Sequence, residues 1–382
     1  MTHLERAQSI VEEFDGLLRG ELPSDVYLFD AHTHIGDDID GMQGRAGQLR
    51  EIMDRYGFTR ANVFCLDEPD PGPAFSAAND RTLAHAEGAD GRFIPFVRHD
   101  LTETPLEEAK RAIDRGARGI KLHPRAQRFS VSDERLAPIF ALAVERGVPI
   151  LIHGGRGLPP IAEHLEKLVR RSEGLRLIVA HAGIADMAGL AGRLGGIPGV
   201  YFDTSVWSAV DLLDLYRQVA PEQIVYASDY PYGRQPNSLL ATVRTARLAG
   251  YDDHRLRLML GESARRIADN EQPEPLTAPR GEGTLVQPLT FARIHHYISM
   301  ATPMLWLRQK DGVGALGLAL NAAQERNGYE EESERVRELL ATASELWQEG
   351  SELDAVDDRT RAYRSAIQLV HLADLITITA GA

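Results

Sequence analysis

The residues that could do chemistry stand at the ends of apolar runs. The stretch LFDAHTHIGDD, Leu28 to Asp38, sets His32 and His34 one residue apart, where the run gives way to glycine and aspartates. In an extended strand residues i and i+2 point to the same face, so both imidazoles look into one space, as two ligands of one metal ion would. The pattern recurs: RGIKLH ends in Lys121 and His123, VPILIH in His153, LRLIVAH in His181 and QIVYASD in Asp229. Five of the thirteen histidines stand at such ends, more than unrelated core or loop histidines would supply. Three imidazole nitrogens and one carboxylate oxygen make a four-ligand site for Zn2+ or a similar divalent ion.

Other side chains at the same ends bear on a substrate. Arg98 and His99 follow the third run, Arg125 the fourth and Arg156 the fifth, in HGGRG. In a chain of net charge -14, three guanidiniums at one rim would form a local positive pocket for a carboxylate, unless each pairs with a neighbouring acid. Trp207, Tyr230 and Tyr232 follow the last two runs, where aromatics either wall a planar substrate or pack on helices. Lys121 alternates onto the face of His123 and points inward with it, as a donor to substrate or as a partner for Asp30 or Asp203. His123, fixed in direction by Pro124, reads equally as a hydrogen-bonded rim residue and as a substrate contact. His295 and His296 are adjacent on an expected helix, face different ways and stay outside the site.

Eight apolar runs of four to eight residues position these groups: VYLFDAH, RANVFCL, RFIPFV, RGIKLH, VPILIH, LRLIVAH, GVYFDTS and QIVYASD. Between them lie amphipathic segments such as PLEEAKRAIDRG and SDERLAPIFALAVERG, with a glycine at the end. Strands alternating with helices imply parallel pairing with right-handed crossovers, and eight such units match an α/β fold of the (β/α)8 TIM barrel type. A doubly wound open sheet fits less well, because no glycine-rich phosphate loop follows the first run. The expected organisation is an N-terminal helix at 1–25, the barrel at 26–268, a proline-rich linker at 269–288 and an additional C-terminal all-helical segment at 289–382.

Composition narrows the function. The acidic balance argues against nucleic acid, which is bound through clustered Lys and Arg. No apolar run has the length of a membrane span, and the N-terminus has no signal-type apolar core, so a cytoplasmic location is expected. Cys65 is the single cysteine, in ANVFCL, and reads as a buried structural thiol.

The motifs DAHTH, GIKLHP, ILIHGG, IVAHAG, ASDYPYG and GESARRI, in this order over Val26 to Ala268, resemble the amidohydrolase superfamily. They look most like its amidohydrolase-2 branch of metal-dependent hydrolases and aminocarboxymuconate-semialdehyde decarboxylase-like enzymes. The resemblance implies a mononuclear site with His32, His34, His153 and Asp229 as ligands and His181 as the proton shuttle. It also permits a two-metal site bridged by a carboxylated Lys121. The implied cofactor is one divalent ion, Zn2+ with Mn2+ as the alternative. The implied reaction is hydrolysis of an amide, lactone or ester of a small carboxylate-bearing molecule by a metal-activated water, with Asp229 taking the proton. Lys121, His123, Arg156 and Arg98 are the expected substrate contacts. Non-oxidative decarboxylation of an unsaturated or aromatic acid is the alternative, although the His-x-His start weighs against the hydroxybenzoate subgroup, which begins Glu-x-His. A nuclease on a similar barrel is disfavoured by charge, and a non-catalytic scaffold would need a missing ligand. The C-terminal helices, with TPMLWL and LVHLADLITI, are expected to form a homodimer contact or a cover beside the barrel mouth, with cladding of the barrel as the plainer reading.

Overall fold

The computed structural model describes residues 2–39, 41–66, 75–101, 105–206, 208–281, 287–309, 311–325 and 328–380. Trp207 and residues 282–286 of the expected linker lie outside them. Nine strands form one sheet: β1 (Leu28–Asp37), β2 (Gln43–Gly44), β3 (Phe58–Cys65), β4 (Phe93–Val97), β5 (Gly119–Leu122), β6 (Ile150–Ile152), β7 (Leu177–Val179), β8 (Val200–Asp203) and β9 (Ile224–Val225). The order is β2-β1-β3-β4-β5-β6-β7-β8-β9, and every neighbouring pair is parallel except the β1–β2 hairpin. The eight apolar runs supply the eight strands other than β2.

The sheet is strongly curled. Ala31 N–H donates to Tyr226 O (2.9 Å), Asp229 N–H to His32 O (3.0 Å) and His34 N–H to Tyr230 O (2.7 Å), so the chain leaving β9 bonds along β1. Helices cross over between successive strands, and their sequences show why they lie on the sheet. Ala162–Arg170, for example, buries Ala162, Leu165, Leu168 and Val169 along one stripe. Ala46–Tyr56 and Leu136–Arg146 end on Gly57 (φ 79°) and Gly147 (φ 63°), where the left-handed turn that stops the helix favours a residue without Cβ.

Inside the curl an apolar row supports a polar one. Phe29, Phe64, Phe96, Leu151, Ile178, Tyr201 and Val225 belong to one buried cluster. Lys121 is in register with Leu151, which is in register with Ile178 and through it with Tyr201. Two residues further along these chains come His123, His153, Ala180 and Asp203, the same-face positions by alternation.

The chain divides into two compact units. The first, Pro23–Ser238 with Ala249–Gly281, holds the sheet. The proline-rich stretch is tied down within it: Thr277 N–H and Oγ1 both donate to Glu222 at 2.9 Å, and Arg280 N–H donates to Tyr216 O at 3.0 Å. The second unit is helical and groups His3–Glu21 and Leu239–Leu248 with Leu289–Trp306, Asp311–Ala322, Glu330–Glu352 and Val356–Thr379. The first helix buries Ala7, Ile10, Phe14 and Leu18 inside this unit, where Arg335 also pairs with Glu13 at 2.6 Å and Arg244 with Glu21 at 2.7 Å. Among the described residues no helix is long and apolar enough to cross a membrane.

Candidate metal centre

Three donor atoms face one point. His32 Nε2 lies 3.2 Å from His34 Nε2 and 3.3 Å from Asp229 Oδ1, and His34 Nε2 lies 3.2 Å from Asp229 Oδ1. Ligands held about 2.0 Å from a tetrahedral ion are separated by edges of about 3.3 Å, so this triangle has the size of one face of a Zn2+ site. All three side chains are buried. Desolvation holds both imidazoles well below their usual pKa, with the charge of Lys121 acting in the same direction, so they are neutral and fit to ligate. Burial pushes the Asp229 carboxyl well above the usual range, and Lys121 opposes that shift. A cation at this point would favour the ionised form. The donor set therefore fits a divalent ion.

His32, His181 and Asp203 form a second set whose ligand atoms lie close enough to share an ion, and His153 belongs to neither set. His153 Nδ1 instead faces His181 Nε2 at 3.0 Å, and its ring stacks on His123 with centroids 3.8 Å apart. Burial, followed by the charges of His181 and Lys121, pushes its pKa down to about 2. His153 Nε2 and His34 Nδ1 are buried without a hydrogen-bond partner among the described residues. Gly155 makes room for this arrangement: a Cβ there would lie 2.7 Å from His181 Cδ2 and 2.8 Å from His153 Cε1.

His181 and Asp229 reach the site through strained backbone. Both adopt left-handed φ, 58° and 60°, as does Ala182 at 54°, at about 1 kcal/mol each for residues with a Cβ. Ala180 belongs to the apolar cluster, so in a continued strand His181 would point away from it. The left-handed turn redirects the side chain.

The expected substrate contacts are distributed unevenly. Lys121 is 1 % exposed, with Nζ 3.2 Å from His32 Nε2 and 4.6 Å from the centroid of the Phe64 ring. His123 Nδ1 accepts Ala126 N–H at 3.2 Å, which leaves Nε2–H as a donor. Arg98 is 1 % exposed, and its guanidinium donates to Cys65 O at 3.2 Å and lies 4.9 Å from the Phe75 ring, so it is an interior residue and not part of the rim. Arg156 is exposed on the loop after β6. Tyr232 donates to Asp38 Oδ2 at 2.8 Å with its ring edge-on to His34, while the Tyr230 hydroxyl bonds the backbone of Arg45. His295 pairs with Asp374 at 2.7 Å in the helical unit.

Sequence reasoning passed over two residues here. The sequence offers Asp203 only as a partner for Lys121, yet its Oδ2 lies 2.8 Å from His32 Nδ1. Ser205, without a pattern of its own, bonds both Asp203 and His181. The available signal was the acid two residues beyond Tyr201 in VYFDTS, on the inward parity.

A curled parallel sheet carrying histidines and an aspartate at its strand ends defines an α/β protein with the donor set of a metal-dependent enzyme. The family model described as Amidohydrolase matches residues 29–267, and the chain belongs to that family. No curated protein matches it. Among solved structures, the IDCase of Metarhizium anisopliae is 16 % identical, with 65 % of this chain and 98 % of that one covered at a TM-score of 0.49. A "probable 2-pyrone-4,6-dicarboxylic acid hydrolase" from Acinetobacter baumannii is 13 % identical (63 % and 99 % covered, TM-score 0.48). The 4-oxalomesaconate hydratase of Rhodopseudomonas palustris is 15 % identical (64 % and 96 % covered, TM-score 0.45).

Proposed function

We propose that the chain is a metal-dependent hydrolase that cleaves an amide, lactone or ester of a small, carboxylate-bearing molecule, on a closed (β/α)8 barrel. The observation that carries the reading is the triangle of His32 Nε2, His34 Nε2 and Asp229 Oδ1 with edges of 3.2 to 3.3 Å. The backbone bonds from Tyr226 and the 229–230 segment to β1 support barrel closure. His32, His34 and Asp229 would hold one divalent ion, Zn2+ or alternatively Mn2+, with His153 as the fourth ligand on the strength of its neutral ring and unpartnered buried nitrogen. When bound, such an ion lowers the pKa of water toward neutrality and polarises an acyl oxygen.

The chain's own groups supply the remainder. Asp229, ionised beside the cation and with its Oδ1 facing both imidazoles, takes the proton of the attacking water. His181, neutral and fixed by Ser205, orients that water, receives the proton from Asp229 on its bare Nε2 and passes it to the leaving group. Lys121 and the His123 Nε2–H donate to substrate oxygens. Arg156 at the mouth, with the interior charge of Arg98, favours an acid substrate. A homodimer is the proposed assembly.

The test is a panel of carboxylate-bearing lactones, amides and esters, with enoic acids as controls, offered to Zn2+-loaded protein. Hydrolysis that chelation abolishes is expected. Release of CO2 without hydrolysis would replace this reading with decarboxylation.

A further inference from the structure

Asp203 is neither one of the proposed ligands nor a group assigned to water, yet it is bonded to both halves of the histidine cluster. It is fully buried. Its Oδ2 lies 2.8 Å from His32 Nδ1. Its Oδ1 accepts His181 N–H at 2.8 Å, Ser205 N–H at 3.0 Å and Ser205 Oγ–H at 2.6 Å. Ser205 in turn meets His181 Nδ1 twice, with its carbonyl oxygen at 2.9 Å and its Oγ at 2.9 Å.

These contacts leave little freedom for hydrogens. A carboxylate surrounded by donors can only accept, so the shared hydrogen sits on His32 Nδ1 and His32 Nε2 is bare. A carbonyl can only accept, so His181 Nδ1 carries its hydrogen and His181 Nε2 is bare. Ser205 Oγ gives its single hydrogen to Asp203 and keeps a lone pair for His181 Nδ1–H.

We propose that Asp203 is a positioning residue: directly at His32, and at His181 by holding Ser205, whose carbonyl and Oγ both receive the Nδ1–H, it sets both imidazoles in the Nδ1–H tautomer, so that each turns a bare Nε2 into the site. The consequence for metal loading rests on the metal-dependent reading above; the tautomer assignment does not. The arrangement makes one carboxylate common to a ligand and to the proton-handling histidine. From its own position Asp203 reaches only the backbone of His181, and the hydroxyl carries the connection to the ring.

The test is 15N imidazole NMR on the full chain freed of metal by chelation, with His32→Gln and His181→Asn spectra to assign the two rings. Wild type should show both as neutral Nδ1–H tautomers; an Nε2–H tautomer at either overturns the proposal without recourse to a variant. Asp203→Asn should move the His32 ring toward the other tautomer and, by chelator competition, weaken Zn2+ binding ten- to a hundredfold. Ser205→Ala should alter the His181 signals and leave Zn2+ affinity within about twofold. Unchanged tautomers in folded Asp203→Asn, or a Ser205→Ala spectrum identical to wild type, would refute the connection. Correct tautomers in a chain that binds no Zn2+ would refute the metal reading and leave this one standing.

Discussion

Lys121 Nζ stands 3.2 Å from His32 Nε2, the atom that also faces His34 and Asp229. With His32 Nδ1–H donated to Asp203 Oδ2, the ammonium donates to the lone pair that an ion would use. One lone pair serves one cation at a time. Lys121→Met is therefore expected to bind a single Zn2+ at least as tightly as wild type, read by chelator competition. A wild-type content near two ions per chain, with a mass gain of one CO2 on Lys121 and loss of one ion in the variant, would instead make the lysine a carbamate bridge.

The His-x-His pair should be dispensable for folding. His32→Ala with His34→Ala is expected to reduce metal content from about one ion per chain to none and to abolish turnover, while circular dichroism keeps the wild-type spectrum, because residues at the strand ends of a parallel sheet serve chemistry more than the packed core. Unfolding of the double variant would make the metal structural.

His181 should behave as a proton-handling group. His181→Asn is expected to keep its metal and lose at least about a hundredfold in kcat with a smaller change in KM. Loss of the ion in that variant would place His181 in the coordination sphere, which its closeness to His32 and Asp203 makes geometrically open.

Gly155 has no room for a side chain beside His153 and His181. Gly155→Ala should push both imidazoles, lowering kcat by tenfold or more and costing about 1 to 3 kcal/mol of stability as an overpacked site. Wild-type kcat in the variant would show that the loop can yield without moving the rings.

In the helical unit the pH dependence has a defined sign. The Asp374 carboxylate, 2.7 Å from His295 Nδ1, raises the His295 pKa above its usual value despite partial burial. The pair thus contributes fully below the unfolded value of about 6.5 and its contribution disappears as pH rises through the higher folded value. His371, half-buried near the same Asp374, is shifted the opposite way by desolvation, so the contrast must be taken between chains. His295→Gln is expected to lose about 1 kcal/mol relative to wild type at pH 5.5 and much less at pH 8.5 in urea denaturation. An equal loss at both pH values would mean that packing, not charge, holds the pair.

The alternation of apolar runs and amphipathic segments was enough to determine the order and parallel pairing of the strands, because period-2 and period-3.6 burial are local properties of a chain. The same parity argument brought His32 and His34 together, and the run ends identified His123, His153, His181 and Asp229, since a parallel sheet presents the ends of its strands at one edge. Local pattern stops where the backbone leaves the ladder. The left-handed residues His181 and Asp229 carry no sequence signal, and only the turn they make determines where their side chains point. Membership of the first helix in the C-terminal unit is tertiary: it buries Ala7, Ile10, Phe14 and Leu18 there and brings Glu13 and Glu21 to Arg335 and Arg244 across more than two hundred residues. The choice of Asp203 as the partner of His32, 171 positions away, is likewise tertiary. A carboxylate bonds whichever donor the curled sheet carries to it, and that distance in space is not encoded in any window of the chain.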